Sequence, residues 1–244
     1  MSKLITLLLL SCVILMPLGA MSAEDIVRAM DEVETFEHSY SEGEIVTTDR
    51  FGQKRSTFKA WSQGQYDSLI EFTSVAERGQ KVLRTSGELY LFYPDAEELI
   101  RLQGAALRQS MLGSDISYED MTGERNTLAN YTAKLLGTEQ IDGRECHVLE
   151  LTAKTRTVAY PMQKLWVDTE TFMVWKGEFS TQSGRLLKEM MVQETMEVEG
   201  RTLPKVSTIS DAMKRNSSTE MRIHHLDISV AVDPAIFTLQ NLTW

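Results

Sequence analysis

From residue 36 onward, short runs of alternating apolar and polar side chains follow one another, and this pattern restricts the fold more than any other feature. Ile70 and Phe72, for example, alternate with Glu71 and Thr73. A period of two is typical of strands, whose side chains point alternately to the two faces of a sheet. Turn pairs such as Asp142-Gly143 separate the runs, and they favour tight hairpins. The pattern predicts a meander of antiparallel strands.

Two segments depart from this pattern. The first covers residues 24–33, where Ile26, Val27, Met30 and Val33 have helical spacing. The second lies between the two halves of the meander. Residues 103–112 are rich in good helix formers, and Gly113 follows them. Glycine commonly follows the last turn of a helix. Ser117 and Asp120 then predict the capped start of a second short helix that runs through Met121.

The predicted fold class is therefore mainly β with a helical insertion (α+β). A single strongly curved antiparallel sheet is expected to form an incomplete β-barrel, and the insertion is expected to form a helical lid. No repeat, linker or low-complexity stretch divides the chain. We therefore expect one domain over residues 24–244.

The N-terminus predicts export. Lys3 precedes an apolar run over residues 4–18, and small residues follow before Glu24-Asp25. This order is typical of a cleavable signal peptide, here residues 1–23, and it predicts a periplasmic location. An uncleaved membrane anchor and a lipid anchor at Cys12 are the alternatives. After cleavage Cys146 is the one remaining cysteine, so an intramolecular disulfide is excluded and Cys146 is expected to be a small buried apolar residue.

Charge and motifs exclude several classes of function. The formal net charge of -10 opposes sequence-independent nucleic-acid binding and permanent docking on an anionic membrane through a polybasic patch. The four histidines, His38, His147, His224 and His225, do not have the spacing of metal ligands. We expect no metal, no cofactor and no catalytic residues. An enzyme whose carboxylates converge only in the folded chain is the alternative.

The apolar side chains point to a binding function. A barrel of about ten strands is wider than its own side chains can fill, so a helix, a ligand or both must occupy the interior. The ten methionines that remain after cleavage (of 13 in the whole chain) offer an adaptable lining. An acyl chain that leaves a membrane loses about 0.8 kcal/mol of apolar burial per methylene. A carrier must compensate for this loss, so it needs a long apolar cleft.

The chain resembles the LolA/LolB-like superfamily, in particular its LolA-like branch of exported outer-membrane lipoprotein-sorting proteins. The order of helix, meander, helical insertion and second meander is similar to that of the superfamily. The most specific part is residues 113–120, and weaker parts are Tyr93-Pro94, residues 166–168, 177–179 and 183–188, and residues 236–238. The resemblance implies an incomplete barrel with a lid over an apolar cavity. It also implies a carrier of lipid or lipoprotein acyl chains that makes transient membrane contact, and in this branch an RND/MMPL-type transporter in the inner membrane as a partner.

The resemblance and the sequence positions together predict the site residues. The apolar cleft is expected to be lined by Phe58, Ile70, Phe72, Leu91, Trp175 and Phe179. The face of the lid is assigned to Leu107, Met111 and Leu112. The lid is expected to be hinged or anchored by Ser114, Asp115, Tyr118, Glu119 and Asp120, for which a purely structural capping role is the alternative.

The identity of the cargo stays open at the level of sequence. Carriers of the family have an arginine on an early strand that tunes the opening of the lid, and residues 63–66 here contain none. A lipid other than a lipoprotein is therefore an equal alternative as cargo. The second hypothesis for the function is an accessory or sensor subunit that uses the same fold to bind a protein partner.

Overall fold

The computed structural model describes residues 21–123 and 126–242. Most of these residues belong to strands. In chain order the strands are β1 (His38–Asp49), β2 (Gly52–Gln63), β3 (Asp67–Phe72), β4 (Lys81–Thr85), β5 (Glu88–Tyr93), β6 (Glu98–Leu102), β7 (Tyr131–Ile141), β8 (Arg144–Ala153), β9 (Met162–Asp168), β10 (Val174–Ser180), β11 (Leu186–Val198), β12 (Arg201–Asp211) and β13 (Ser218–Asp227).

The thirteen strands form one antiparallel sheet in the order β6-β5-β4-β3-β2-β1-β13-β12-β11-β10-β9-β8-β7. Two meanders, β1 to β6 and β7 to β13, are joined where β1 pairs with β13. Strands β6 and β7 stand at the two edges, and within the described part of the chain they do not pair with each other. The sheet is thus an incomplete barrel, as predicted from the sequence, with more strands than the expected ten or so.

Within the described ranges, four α-helices accompany the sheet: α1 (Ala23–Val33), α2 (Tyr118–Thr122), α3 (Thr127–Asn130) and α4 (Leu239–Leu242). The predicted helix over 24–33 is confirmed by α1, whose Ile26 and Val27 are fully buried. The Ser22 side chain caps α1 by accepting a hydrogen bond from the backbone N–H of Asp25. The short helix α3 was not predicted from the sequence.

The Asp142-Gly143 hairpin is confirmed. Ile141 pairs with Arg144, so two residues connect β7 and β8. Asp142 and Gly143 have φ values of 48° and 82°. A tight turn with two left-handed residues matches the twist of the flanking strands, and aspartate followed by glycine tolerates this conformation best.

The sheet buries both of its faces around β2 to β5. On the inner face Ile70 pairs with Ala60 on one side and with Val82 on the other. Leu69 and Leu83, which point the opposite way, form a second buried cluster with Phe237 and Leu242 near the C-terminus. The 3₁₀ turn Pro234–Phe237 and helix α4 therefore cover the outer face of these strands.

The insertion, defined here as residues 103–122, corrects one sequence prediction. Residues 103–112 do not form an α-helix: they contain a 3₁₀ turn at Gly104–Arg108 and another at Met111–Gly113. Gly104 and Leu112 both have a φ of 54°, which a right-handed helix does not accommodate. The capped start at Ser117 is confirmed, since Ser117 and Asp120 form a complete capping box at α2.

In the described ranges no helix has both the length and the apolar character that a membrane-spanning segment needs. The predicted signal peptide, apart from residues 21–23, and the alternative lipid anchor at Cys12 lie outside the described residues.

Candidate functional site: an apolar cleft beside the insertion

The insertion packs its apolar side chains onto the inner face of the first meander. Met111 is fully buried, and Tyr118 is nearly so. They belong to one cluster with Phe58, Phe72 and Leu91 of the sheet. Burial of side chains of this size stabilises the contact by about 1.5–3 kcal/mol each. The insertion is thus a part of the core in this half of the barrel.

A cleft of about 300 Å³ remains next to the insertion. Its apolar wall is formed by strands β2, β3 and β13 and by the end of the insertion, and it consists chiefly of Phe58, Ala60, Ile70, Met121, Met221 and Ile223. Gln65 of the β2–β3 turn and Asp67 at the start of β3 add polar groups to its lining. An apolar interior with a few polar groups is typical of sites for small apolar ligands, and a volume of 300 Å³ is at the lower end of their size range.

A glycine makes room for the ring of Phe58 in this wall. A Cβ atom added to Gly43, the residue opposite Phe58 on β1, would stand 2.8 Å from the Cζ of that ring. It would also stand 2.5 Å from the carbonyl oxygen of Arg222. Because neither distance is sterically allowed, the position excludes larger residues. The pairing of β1 with β13 also shifts register between Glu42 and Gly43, which marks a β-bulge there.

The insertion is fastened to the barrel by the buried carboxylate of Asp115. Ser217 Oγ donates to its two oxygens at 2.9 and 2.8 Å. Thr219 Oγ1 donates to Oδ2 at 2.9 Å, and Lys214 Nζ lies 3.6 Å from Oδ1. A buried carboxylate is tolerated only when hydrogen bonds and opposite charge replace its hydration, and these partners on β13 and the preceding loop do so.

Two lysines hold the backbone of the insertion from opposite sides. Lys54 Nζ donates to the carbonyl oxygen of Leu112 at 3.2 Å and forms an ion pair with the buried Glu77 at 2.9 Å. Lys214 Nζ donates to the carbonyl oxygens of Gly113, at 3.3 Å, and of Ser114. Residues 112–115 are therefore tied both to β2 and to the β12–β13 loop.

A second, polar cavity of about 420 Å³ lies on the other side of α2. Burial raises the pKa of the Glu119 carboxyl that lines it, since the nearby Arg108 guanidinium, 3.9 Å away, compensates only in part. Asp120 accepts a hydrogen bond from Tyr160 Oη at 2.8 Å and forms an ion pair with Lys188. Burial, followed by the charge of Asp120, raises the pKa of Tyr160, so its hydroxyl stays protonated and keeps donating.

The structure distributes the predicted site residues over several places. Phe58 and Ile70 line the cleft. Phe72 and Leu91 lie in the same cluster, together with Leu107, Met111, Leu112 and Tyr118 of the insertion. Ser114 and Asp115 belong to the segment 112–115 that is tied to the barrel, and Glu119 and Asp120 line the polar cavity. Contact of any of them with a ligand stays a prediction.

Trp175 and Phe179 lie apart from the other predicted cleft residues. Trp175 packs in a separate cluster with Cys146 and Trp166. Its indole N–H donates to Asp168 Oδ2 at 3.0 Å, and the Arg144 guanidinium stacks on its ring. Phe179 packs on the cluster beneath α1. Both were assigned from their size and strand position, which do not reveal which layer of a curved sheet a side chain joins.

Several residues of the cleft were not predicted from the sequence, namely Ala60, Met121, Leu203, Met221 and Ile223. The alternation of Met221 and Ile223 along β13 is a signal that could have identified them. Their place beside Phe58 follows from the pairing of β1 with both β2 and β13. This pairing joins the two ends of the chain and has no local sequence signature.

Burial raises the pKa of the Cys146 thiol to about 11, so it is a buried apolar side chain and not a thiolate at neutral pH. Among the described residues, no three His, Cys, Asp or Glu side chains come together in a way that could hold a metal ion.

Comparison with known proteins places this geometry in a family. A protein-family model described as "-like: Uncharacterized protein" matches residues 64–244. The LolA superfamily protein NE2245 from Nitrosomonas europaea is 28% identical, with a TM-score of 0.77 over 91% of this chain and 100% of that chain. No curated protein sequence matches the chain.

Two further solved structures share the fold. A DUF1329 family protein from Desulfovibrio piger has a TM-score of 0.84 at 24% identity, over 90% of this chain and 97% of that chain. A proposed outer membrane lipoprotein-sorting protein domain from Vibrio parahaemolyticus has a TM-score of 0.81 at 19% identity, over 91% of this chain and 98% of that chain. The resemblance inferred from the sequence is confirmed, and the protein belongs to this family of uncharacterized proteins within the LolA/LolB-like superfamily.

Proposed function

We propose that this protein is an exported, non-enzymatic carrier that binds an acyl chain of a lipid or lipoprotein in the apolar cleft and takes it across the periplasm toward the outer membrane. The observation that carries the proposal is the cleft of about 300 Å³ between β2, β3, β13 and the insertion, with its wall of Phe58, Ile70 and Met221. Similarity to a LolA superfamily protein and to a proposed lipoprotein-sorting domain supports it.

The energetics of transfer favour a cleft of this kind. Each methylene that leaves a bilayer loses about 0.8 kcal/mol of apolar burial, and apolar walls return a similar amount per methylene. Methionine side chains such as Met121 and Met221 can adjust to chains of different shape because they are unbranched and polarizable. The proposal therefore does not require one specific cargo.

Export through a cleaved signal peptide completes the proposal. The sequence predicts a signal over residues 1–23, and helix α1 gives a reason to place the cleavage site earlier. Ser22 caps α1 through the backbone N–H of Asp25, so cleavage after Ala20 would keep the cap, whereas cleavage after Ala23 would remove it. We expect the mature domain to begin at residue 21.

An accessory or sensor subunit is the second candidate function. The sheet has two edge strands, and Leu136 on β7 is 47% exposed. Unpaired edges can accept a strand from a partner protein. The partner on this reading is an RND/MMPL-type transporter of the inner membrane, and its binding would not need the cleft.

The test of the carrier is native mass spectrometry of the exported protein, followed by organic extraction. Ala60→Trp fills the cleft with an indole, and Thr132→Trp places the same side chain on an exposed position of β7. We expect co-purified lipid or acylated peptide in the wild-type protein and in Thr132→Trp, and its loss in Ala60→Trp. A folded wild-type protein that is reproducibly empty would favour the accessory subunit. Lipid that persists in the Ala60→Trp variant would favour it as well.

A further inference from the structure

The two ends of the open barrel differ in charge. In an antiparallel meander, successive connections alternate between the ends. The end that we call the basic end carries the connections 50–51, 73–80, 94–97, 154–161, 181–185 and 212–217. These connections contain seven Lys or Arg and three Asp or Glu. The opposite end has the connections 64–66, 86–87, 142–143, 169–173 and 199–200, which contain three Asp or Glu and no Lys or Arg.

This asymmetry runs against the charge of the whole chain, which is formally -10. Of the three acids at the basic end, Glu77 is buried and already forms an ion pair with Lys54 of β2. One of the seven cations, Lys214, lies near the buried Asp115. Arg185 and Arg215, in contrast, stand exposed at turns. Over these connections the outward formal charge is therefore positive, although the adjoining strand ends also carry the exposed Asp49 and Glu98.

The same end exposes large apolar side chains at the tips of three connections. Phe51 in the β1–β2 turn is 82% exposed, Val75 in the β3–β4 loop 87% and Met213 in the β12–β13 loop 63%. The turns that carry Phe51 and Met213 are adjacent, because Thr48 pairs with Ser218 where β1 meets β13. Single exposed apolar residues are common, but three at one end among arginines and lysines form a surface of distinct chemistry.

We propose that the basic end is a docking surface for an anionic phospholipid bilayer. Basic side chains near an anionic surface are attracted by its potential, and apolar loop tips insert between the headgroups. The combination suits a membrane better than a protein partner, since the apolar groups sit singly on separate loops and form no continuous groove. Because the total charge is negative, the attraction is local, and salt should weaken the docking.

The docking surface goes beyond the proposed function. The insertion reaches the barrel wall at the basic end, where Lys54 and Lys214 hold the carbonyl groups of residues 112–114. A protein docked in this way would present these residues of the insertion to the membrane, whereas the turn at 64–66, which lines the cleft, would face away from it. The docking therefore does not rest on the proposed carrier function.

The test is flotation of the purified protein with vesicles. Vesicles of phosphatidylcholine and phosphatidylglycerol are compared with vesicles of phosphatidylcholine alone, at low and high salt. We expect binding to the anionic vesicles only, and weaker binding at high salt. Arg185→Gln with Arg215→Gln should lower the affinity by about fivefold for each arginine, and Phe51→Ser with Met213→Ser should lower it at least as much.

Two controls match these variants in chemistry but not in place. Leu136→Ser removes an exposed leucine from the edge strand β7, and Lys205→Gln removes an exposed lysine from the middle of β12. Both should bind the anionic vesicles like the wild-type protein. Equal losses in the controls, or wild-type binding that does not depend on phosphatidylglycerol, would overturn the proposal.

Different results would contradict the proposed carrier function and the proposed docking surface. The docking variants leave the cleft untouched, so they should keep any co-purified lipid, and vesicle binding is measured without reference to cargo. If a second copy of the chain covers the basic end, light scattering will show a dimer that Phe51→Ser with Met213→Ser converts to a monomer. That result would overturn membrane docking but leave the carrier proposal unaffected.

Discussion

Asp115 and Thr219 exchange two hydrogen bonds across 104 positions of the sequence. The backbone N–H of Asp115 donates to Thr219 Oγ1 at 2.9 Å, and Thr219 Oγ1 lies 2.9 Å from Asp115 Oδ2, to which it donates. Thr219 is fully buried at the start of β13. This pair therefore decides where the insertion meets the second meander, and it makes the insertion a fixed part of the barrel at this point.

Removal of the Thr219 hydroxyl should loosen this junction. Thr219→Val has nearly the same shape but leaves the Asp115 N–H without its acceptor and the carboxylate without one donor. We expect the free energy of unfolding to fall by about 1–3 kcal/mol, measured by urea denaturation. The control Thr132→Val, at an exposed position of β7, should change it by less than about 0.5 kcal/mol. An equally small effect at Thr219 would contradict the fastening role.

Leu112 tests whether the insertion contributes to cargo binding. Its side chain is half-buried against the inner cluster, and its backbone has a φ of 54°. Leu112→Asp places a charge against the apolar cluster, so lipid retention measured by extraction should fall about tenfold while the fold persists. Asparagine suits the left-handed backbone and carries no charge, so lipid retention in Leu112→Asn should lie between that of the wild-type protein and that of Leu112→Asp. Unchanged lipid loading in Leu112→Asp would remove the insertion from the binding site.

Two glutamates should give the stability of the protein opposite pH dependences. Burial raises the pKa of Glu119 above its ordinary 4.5, so the folded state holds that proton more tightly than the unfolded state. The contribution of Glu119 to stability therefore falls as pH rises through the raised pKa. The hydrogen bond from Trp166 Nε1, 2.7 Å long, lowers the pKa of Glu139 below 4.5. Its contribution is present above that value and is lost at lower pH.

The two glutamine variants make this comparison measurable. Relative to the wild-type protein, Glu119→Gln should gain stability as pH rises from about 4.5 to 8, whereas Glu139→Gln should lose stability as pH rises from about 3 to 5. Urea denaturation of the three proteins at both ends of each range gives the differences. The same sign for both variants would show that the burial of Glu119 does not govern its titration.

The mature chain should keep the cap of α1. We expect N-terminal sequencing of the exported protein to find Met21, so that Ser22 is retained. Ser22→Ala should then reduce the free energy of unfolding by about 1 kcal/mol. A mature chain that begins after Ala23 would show that the helix folds without this cap, and the substitution would then affect only the precursor.

The sequence predicted the fold where local chemistry determines it. The alternating runs, the Asp142-Gly143 turn and the capping box of Ser117 and Asp120 are each specified by residues close together in the chain. Strand β6 was missed because residues 95–98 are acidic and typical of a loop, while its pairing with β5, Leu91 with Ile100 for example, depends on a partner strand.

The site was harder to predict for the same reason. Phe58 and Ile70 lie on the inner face beside the cleft, where the regular alternation of their strands puts them. The helix expected over 103–112 gave way to 3₁₀ turns, since burial of Met111 and the left-handed Gly104 and Leu112 outweigh helix propensity. Trp175 joined another cluster beside an irregularity between Val174 and Lys176, which shifts the register of β10 relative to β9.

The most direct test of the carrier is photo-crosslinking with a fatty acid that has a diazirine at the end of its acyl chain. Peptide mapping after irradiation reports which side chains surround the bound chain. The cleft predicts crosslinks on β2, β3 and β13, near Phe58, Ile70 and Met221, and their loss in Ala60→Trp. Crosslinks concentrated around Trp166 and Trp175, or none above the level of a non-binding protein, would contradict a carrier that uses this cleft.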